Sequence, residues 1–301
     1  MHSPAEGVKG VRFPSLAFLF LFYGNYFMFE PNCVIVLLAP EISLKSRPVQ
    51  KRMHEIIKNN IVIALKNNGL DYAKVISRSG RVFFDTTDSV SAIEVLKNSF
   101  GLNLLFATQK IVCEELKFES ILNNSLDCCK TKINGEFAVR AKSFNKKIDA
   151  RKLERELGSE ILDNISSTKV NLTKPNTQCN ILIFDKEVFV YFEAVNGIKG
   201  MPVGTQGRVV LNITDAKKGE ELAISLMKVG CLPVLIKNKV SSKIDLKKYN
   251  SYQDLKIVTL EESKTLFYKR KVGAFFCDFK NLKDKKEFDK LISVKSFAPN
   301  L

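Results

Sequence analysis

The chain has 301 residues, 45% hydrophobic and 26% charged, so it can fill the cores of about two or three small domains and is not disordered throughout. Its 47 lysines and arginines outnumber 32 aspartates and glutamates, giving a formal net charge of +15. This excess favours a polyanionic partner, nucleic acid first and an anionic membrane surface second. A lysine-rich surface without a binding role would give the same charge.

The seven cysteines include no C-x-x-C pair, and His2 and His54 are the only histidines. No metal site is therefore predicted. The odd number of cysteines fits reduced thiols in a cytoplasmic protein. We interpret the adjacent Cys128 and Cys129, in a predicted helix, as packing residues.

Residues 1–30 are predicted to be an N-terminal extension that is either untranslated or disordered. The stretch Phe13–Phe29 is mostly apolar and follows two basic residues, as in a signal sequence, but no small-residue cleavage site follows it. It is also short for a membrane span, which needs about 20 apolar residues. We favour Met28 as the true start and expect no membrane partner, with a membrane anchor as the alternative.

Residues 31–107 are predicted to form a ferredoxin-like domain, because their patterns follow the order β-α-β-β-α-β. Ser46-Pro48 starts the first helix, and Ser91 with Glu94 has the spacing of a capping box at the start of the second, where Val90 is expected to face inward. The predicted elements are Val34–Leu38, Val49–Leu65, Ala73–Ser77, Arg81–Thr86, Ser89–Phe100 and Leu104–Ile111.

Residues 108–195 are predicted to form a second α+β domain, and residues 196–207, with four glycines and a proline, a linker. Residues 208–301 begin with a βαβ pattern, so the fold class is α+β with an α/β C-terminal part. The predicted elements are Phe118–Lys132, Phe137–Ala141, Leu153–Ile165, Asn180–Phe184, Val188–Phe192, Val209–Ile213, Glu220–Val229, Leu232–Ile236, Leu255–Leu260 and Val272–Phe276. A charged connection, Lys237–Asn250, is predicted to follow the strand Leu232–Ile236.

The densest positive charge lies in residues 130–155, where nine lysines and arginines accompany three acidic residues. A strand and a helix start that present such side chains can neutralise several phosphates, and the helix start adds backbone N–H donors. Phe137 and Phe144 lie among them, and an aromatic ring in this position can stack an unpaired base. The alternative is a solvated helix face with phenylalanines in the core.

Specific segments resemble the tRNA 4-thiouridine synthetase (tRNA sulfurtransferase) family over roughly Cys33–Ile236. Gly197–Gly207, GIKGMPVGTQG, is similar to that family's G-x-G-G-L-P-V-G-T-x-G, and Glu41–Lys45, EISLK, is similar to its G-E-I-x-L-K. Ser79-Gly80-Arg81 falls where the family has a Gly-Arg turn. Resemblance to a THUMP domain, the family's RNA-binding module, lies in Phe137–Ile148, Leu153–Ile161, Val170–Pro175 and Val188–Tyr191.

This resemblance implies a ferredoxin-like domain, a THUMP domain that binds the tRNA acceptor end with its 3′ tail, and an adenine-nucleotide α-hydrolase-like (PP-loop) domain. In the full enzymes the last domain adenylates a tRNA uridine before sulfur transfer. Four tRNA contacts are implied by the resemblance, and three neighbours complete the predicted site: Arg140, Lys142, Lys146 and Lys147, with Phe144, Arg151 and Lys152.

The nucleotide loop of the family, S-G-G-x-D-S, falls here on Thr214–Gly219, TDAKKG. Asp215 and Ala216 replace its two glycines, which restricts close approach of the backbone to a phosphate, and the carboxylate repels an anion. Lys218 and Gly219 replace its acidic and serine positions. The loop Thr214, Asp215, Ala216, Lys217, Lys218 and Gly219 is therefore predicted to be degenerate.

We therefore predict a tRNA-binding protein of tRNA thiomodification, without catalytic residues, cofactor or adenylation activity of its own. A separate sulfur-transfer or modifying enzyme and a second copy of the chain are the further partners considered. Cys231 and Cys277 are interpreted as core residues rather than sulfur carriers. The alternatives are a divergent, active tRNA sulfurtransferase that uses ATP, and a membrane-attached basic protein.

Overall fold

The structure, a computed structural model, describes residues 29–249, 255–268 and 274–277. Its first part is an antiparallel sheet with strand order β2-β3-β1-β4. The predicted β-α-β-β-α-β order is confirmed, with one additional single-turn helix. The elements are β1 Cys33–Leu38, α1 Pro40–Ser43, α2 Arg47–Asn67, β2 Ile76–Arg78, β3 Arg81–Asp85, α3 Ser89–Leu96 and β4 Leu102–Val112.

The start of α3 differs from the capping box predicted for it. The N-cap residue is Asp88, whose carboxylate accepts a hydrogen bond from the Ser91 backbone N–H at 2.9 Å. An aspartate at this position satisfies an N–H group that has no partner within the helix. Val90 lies outside the buried face of α3, which holds Ala92, Ile93 and Leu96, and is 64% exposed, so the prediction that it faces inward is wrong.

The next elements extend the same sheet in the order β4-β8-β7-β5-β6. They are α4 Phe118–Lys130, β5 Glu136–Ser143, α5 Ala150–Asn164, β6 Lys169–Val170, β7 Thr177–Ile183 and β8 Glu187–Tyr191. The long strand β4 belongs to both halves, because its residues 102–108 pair with β1 and its residues 109–112 pair with β8. The domain boundary predicted between residues 107 and 108 therefore lies inside one continuous strand.

The two halves of this sheet pack against each other through the faces that carry no helices. Alternation along β3 places Val82 and Phe84 in the core beneath α2 and α3, while Phe83 points to the opposite face. There its ring meets Phe184, after β7, and Phe189, in β8, at centroid distances of 5.7 and 5.2 Å. An aromatic cluster thus joins the first domain to the second.

The predicted βαβ unit is confirmed and opens a four-stranded parallel sheet, ordered β12-β11-β10-β13. Its elements are β10 Arg208–Asn212, α6 Ala216–Lys228, β11 Leu232–Ile236, β12 Lys256–Val258, α7 Leu260–Tyr268 and β13 Ala274–Cys277, after a short β9 Val195–Asn196 that pairs with β4. Helix α7 was not predicted, and α6 begins before the expected Glu220. The charged connection after β11 buries Ile244 and Leu246 in the same hydrophobic core as Val82 and Phe84 of the first domain.

The glycine-rich segment 196–207, predicted to be a linker, is held at both ends by backbone hydrogen bonds. Gly197 N–H donates to the Asn103 carbonyl at 2.7 Å, and Gly204 N–H donates to the Gly230 carbonyl at 2.9 Å. Gly230 has a φ of +96°, which favours glycine. The segment therefore fastens the start of β4 to the end of α6.

No helix in the described ranges is long and apolar enough to cross a membrane. The proposed start at Met28 and all of the apolar segment before Phe29 lie outside the described residues. Phe29 itself packs edge-to-face against Phe192, with ring centroids 5.0 Å apart. Its backbone N–H also donates to the Thr131 hydroxyl at 3.3 Å, so this residue belongs to the second domain.

Candidate nucleic-acid interface

The predicted tRNA-binding residues lie along β5, the loop after it and the start of α5. Lys142 and Phe144 are exposed at the end of the strand, and Phe144 has 39% of its surface exposed. Phe137, in contrast, is buried in the core of the second domain. Of the two phenylalanines in the basic segment, Phe144 alone presents a ring at the surface.

Arg140 is partly occupied by contacts within the protein. Its Nη2 donates to the Leu172 carbonyl at 2.7 Å, and its Nη1 donates to the Val139 carbonyl at 3.2 Å. The guanidinium therefore braces the loop that follows β6. The remaining donors of this side chain are what it can offer to an RNA phosphate.

Lys146 and Lys147 are exposed on a loop that its own polar side chains hold in shape. The Ser143 hydroxyl donates to the Asn145 carbonyl at 2.7 Å, and the Asn145 Oδ1 accepts from the Lys147 N–H at 2.8 Å. Such local bonds order the backbone without using the lysine ammonium groups. The loop presents two adjacent positive charges to solvent.

At the start of α5, backbone N–H donors that the sequence suggested for a phosphate are bonded within the helix start itself. The Asp149 carboxylate accepts from the N–H groups of Arg151 and Lys152, at 2.9 and 3.2 Å. Lys152 is further engaged, with its Nζ 4.5 Å from the centroid of the Phe118 ring and 3.6 Å from Glu156. The helix start therefore contributes the exposed side chains of Arg151 and Lys152 rather than a backbone anion site.

Sequence reasoning missed the arginine, Arg81, that the first domain places beside Phe144. The Phe144 ring stacks on Phe184 with centroids 4.7 Å apart and an interplanar angle of 2°. Arg81 Cζ lies 5.9 Å and Lys142 Nζ 5.3 Å from the centroid of Phe144. Arg81 belongs to the Ser79-Gly80-Arg81 turn, so the family resemblance had marked the residue without assigning it a contact.

Arg78, which pairs with Arg81 across the same turn, joins a chain of charges between the two domains. Its Nη2 donates to Glu187 at 2.7 Å, and Lys110 Nζ lies 3.0 Å from Glu187 and 2.9 Å from Asp85. Burial opposes the charged form of Glu187, but the bonds from Lys110 and Arg78 outweigh it and lower the pKa of this carboxyl. Burial is likewise outweighed at Lys110, whose pKa is raised by its two carboxylates.

The second predicted site, Thr214–Gly219, is the junction between β10 and α6. Asp215 is the N-cap of α6, and its carboxylate accepts from the Lys218 N–H at 2.9 Å. Residues 216–219 are the first turn of the helix, where Lys217 and Lys218 are exposed. A Cβ on Gly219 would lie 2.5 Å from the Ile213 side chain, so glycine permits the close packing of helix and strand.

Three cysteines pack together in the core of the second domain, as expected for packing residues. Cys129 Sγ lies 3.4 Å from Cys179 Sγ, and burial raises the pKa of Cys128 to about 12. Cys231 is half-buried just before β11, and the side chain of Cys277 lies outside the described part of the molecule. No group of three or more metal-ligating side chains occurs among the described residues.

Comparison with known proteins matches residues 117–193 to the THUMP domain family. A probable tRNA sulfurtransferase from Thermococcus kodakarensis is 28% identical over 202 residues, which cover 65% of this chain and 53% of the relative. Another, from Clostridium acetobutylicum, is 31% identical over 183 residues, covering 60% and 46%. The chain spans about half the length of the curated relatives that it matches.

Two solved structures share the fold. The crystal structure of PH1313 from Pyrococcus horikoshii superposes with a TM-score of 0.73 at 22% identity, covering 86% of this chain and 91% of that one. A 4-thiouridine synthetase–RNA complex with bound ATP gives a TM-score of 0.62 at 22% identity, covering 79% and 65%. Residues 117–193 thus match the THUMP domain, and the chain is similar to tRNA sulfurtransferases over about half of their length.

Proposed function

We propose that this protein binds the acceptor end of tRNA, including the 3′ tail, and acts in tRNA thiomodification in the cytoplasm. The observation that carries the proposal is the exposed cationic and aromatic surface at the end of β5, within the segment matched to the THUMP domain. Lys142, Lys146 and Lys147 supply charge for phosphates, and Phe144 supplies a ring for an unpaired base.

We further propose that the chain has a degenerate PP-loop and does not adenylate tRNA itself. Asp215 supports this, because its carboxylate accepts the Lys218 N–H at the start of α6. A nucleotide phosphate at a helix N-terminus needs such N–H groups free and no anion beside them. No cofactor is included in the proposal, and a separate sulfur-transfer or modifying enzyme would supply the chemistry.

The test compares binding of the full chain to intact tRNA and to tRNA trimmed of its 3′ tail, with and without ATP. Affinity that falls on trimming and does not respond to ATP is the expected result. Affinity that rises with ATP, or formation of adenylated tRNA, would instead support the active sulfurtransferase. Equal binding to trimmed tRNA would remove the 3′ tail from the proposal. Sedimentation of the same samples measures whether the chain is a homodimer.

A further inference from the structure

Three planar groups form a stack that runs from the interior to the surface beside the predicted tRNA site. Arg78 Cζ lies 3.6 Å from the centroid of Phe184, and the Phe144 ring lies parallel to Phe184 at 4.7 Å. A guanidinium and a parallel ring this close to one centroid would overlap on a single face. Arg78 and Phe144 therefore cover opposite faces of Phe184.

The stack ends at Phe144. Phe184 is 4% exposed, whereas Phe144 is 39% exposed, so part of the outer side chain is left uncovered by the residues that the structure describes. An exposed, flat aromatic surface backed by a parallel ring is a platform on which a nucleic-acid base can continue the stack. Its backing by Phe184 and Arg78 holds the ring in place before a ligand arrives.

Two cations stand beside this platform and come from different domains. Arg81 Cζ is 5.9 Å from the Phe144 centroid and belongs to β3, while Lys142 Nζ is 5.3 Å away and belongs to β5. Arg81 Nη1 donates to the Ser79 carbonyl at 2.9 Å, which leaves its other donors available for a phosphate. A cation on either strand supplies the charge that a nucleotide needs next to its stacked base.

We propose that this platform binds one unpaired nucleotide of the tRNA 3′ tail, with the base on Phe144 and a phosphate contacted by Arg81 and Lys142. The inference rests on the proposed tRNA-binding function and deepens it. It makes the site composite, because Arg81 comes from the ferredoxin-like domain. The ion pair between Arg78 and Glu187 then acts in positioning, since it holds the hairpin that carries Arg81 against the second domain.

The probe is an acceptor-stem RNA hairpin with an unpaired 3′ tail, carrying 2-aminopurine at each tail position in turn. Stacking on an aromatic ring quenches the fluorescence of this base, so the signal reports the platform directly. With the full wild-type chain, one tail position should be quenched on binding. Phe144→Leu should abolish the quenching and weaken binding about 5- to 150-fold, the range of single base–aromatic contacts. Phe144→Tyr, which keeps the ring, should retain both.

The cation is tested separately. Arg81→Gln should weaken binding and reduce the salt dependence by at most about one phosphate contact, whereas Arg81→Lys should keep the salt dependence. Phe29→Leu is the matched control. The Phe29 ring is also half-buried and has the Lys132 Nζ 5.3 Å from its centroid, but it packs against Phe192, which is not part of the proposed platform. That variant should bind and quench like the wild type.

Circular dichroism and urea unfolding of every variant separate loss of binding from loss of fold. Wild-type quenching that survives in Phe144→Leu, or an equal loss in Phe29→Leu, would overturn the composite site while leaving tRNA binding intact. A wild-type chain that does not bind the hairpin or tRNA would overturn the proposed function, and this inference with it. Binding of a protein segment at Phe144 in place of RNA would appear as that second outcome.

Discussion

Arg78 and Glu187 form an ion pair across the junction of the first and second domains, with 2.7 Å between Nη2 and Oε2. Arg78 ends the short strand β2, and Glu187 begins β8 on the other half of the large sheet. Glu187 also forms an ion pair with Lys110, which lies on β4, the strand that both halves share. The contact therefore fixes the hairpin carrying Arg81 relative to the THUMP strands.

Replacing Glu187 with glutamine should destabilise the protein by roughly 1–2 kcal/mol, because partly buried Arg78 loses its carboxylate partner and Lys110 loses one of its two. The value is discounted for solvent screening, since 35% of the Arg78 side chain and 22% of the Glu187 side chain are exposed. Urea unfolding measures the change. Glu94→Gln is the control, as its pair with Lys97 lies on the exposed surface of α3 and should cost about 0.5 kcal/mol or less. Equal losses in the two variants would show that the junction pair has no special weight.

The same substitution should change how stability depends on pH. Glu187 has a pKa below its ordinary value of 4.5 in the folded state, so its contribution is present above that value and is lost as the pH falls through the folded-state pKa. The free-energy difference between wild type and Glu187→Gln should therefore be full at neutral pH and shrink below pH 4.5. Urea unfolding across this range tests it. A difference that stays constant or grows on acidification would contradict the assignment.

Neutralising Lys146 and Lys147 together, as a double glutamine variant, should weaken tRNA binding and flatten its dependence on salt. Each lost phosphate contact lowers the slope of log K against log salt by up to roughly 0.9. The control is Lys217→Gln with Lys218→Gln, also two adjacent exposed lysines, at the start of α6. If this second pair changes the slope as much as the first, the binding surface includes α6.

Removing the N-cap of α6 by Asp215→Ala should cost about 1 kcal/mol, because the Lys218 N–H loses its acceptor. Asp215→Asn should be close to the wild type, since asparagine caps about as well as aspartate. Urea unfolding compares the three proteins, and a thermal-shift series with ATP tests the nucleotide proposal on the same samples. An alanine variant as stable as the wild type would remove the capping role. A wild-type thermal shift with ATP would argue against the degenerate loop.

Local patterns were enough to predict most of the elements and the family resemblance. The run Val34–Leu38, the Ser46-Pro48 helix start and the basic segment 130–155 each depend on residues close together in the chain. Errors arose where a local rule had competitors. The spacing groups Val90 with Ile93 and Leu96, but the buried face of α3 runs through Ala92, Ile93 and Leu96 and leaves Val90 outside it. Helix α7 was missed because no element was predicted between the strand Leu255–Leu260, which contains β12, and the strand Val272–Phe276.

The sequence by itself determined the basic segment and the β-α-β-β-α-β order of the first domain. Only the tertiary structure decided that Arg81 lies beside Phe144 and that Asp149 occupies the N–H groups of α5. The physical reason is that charge and periodicity are properties of neighbouring residues. A composite site depends instead on how the two halves of one sheet pack through their aromatic faces.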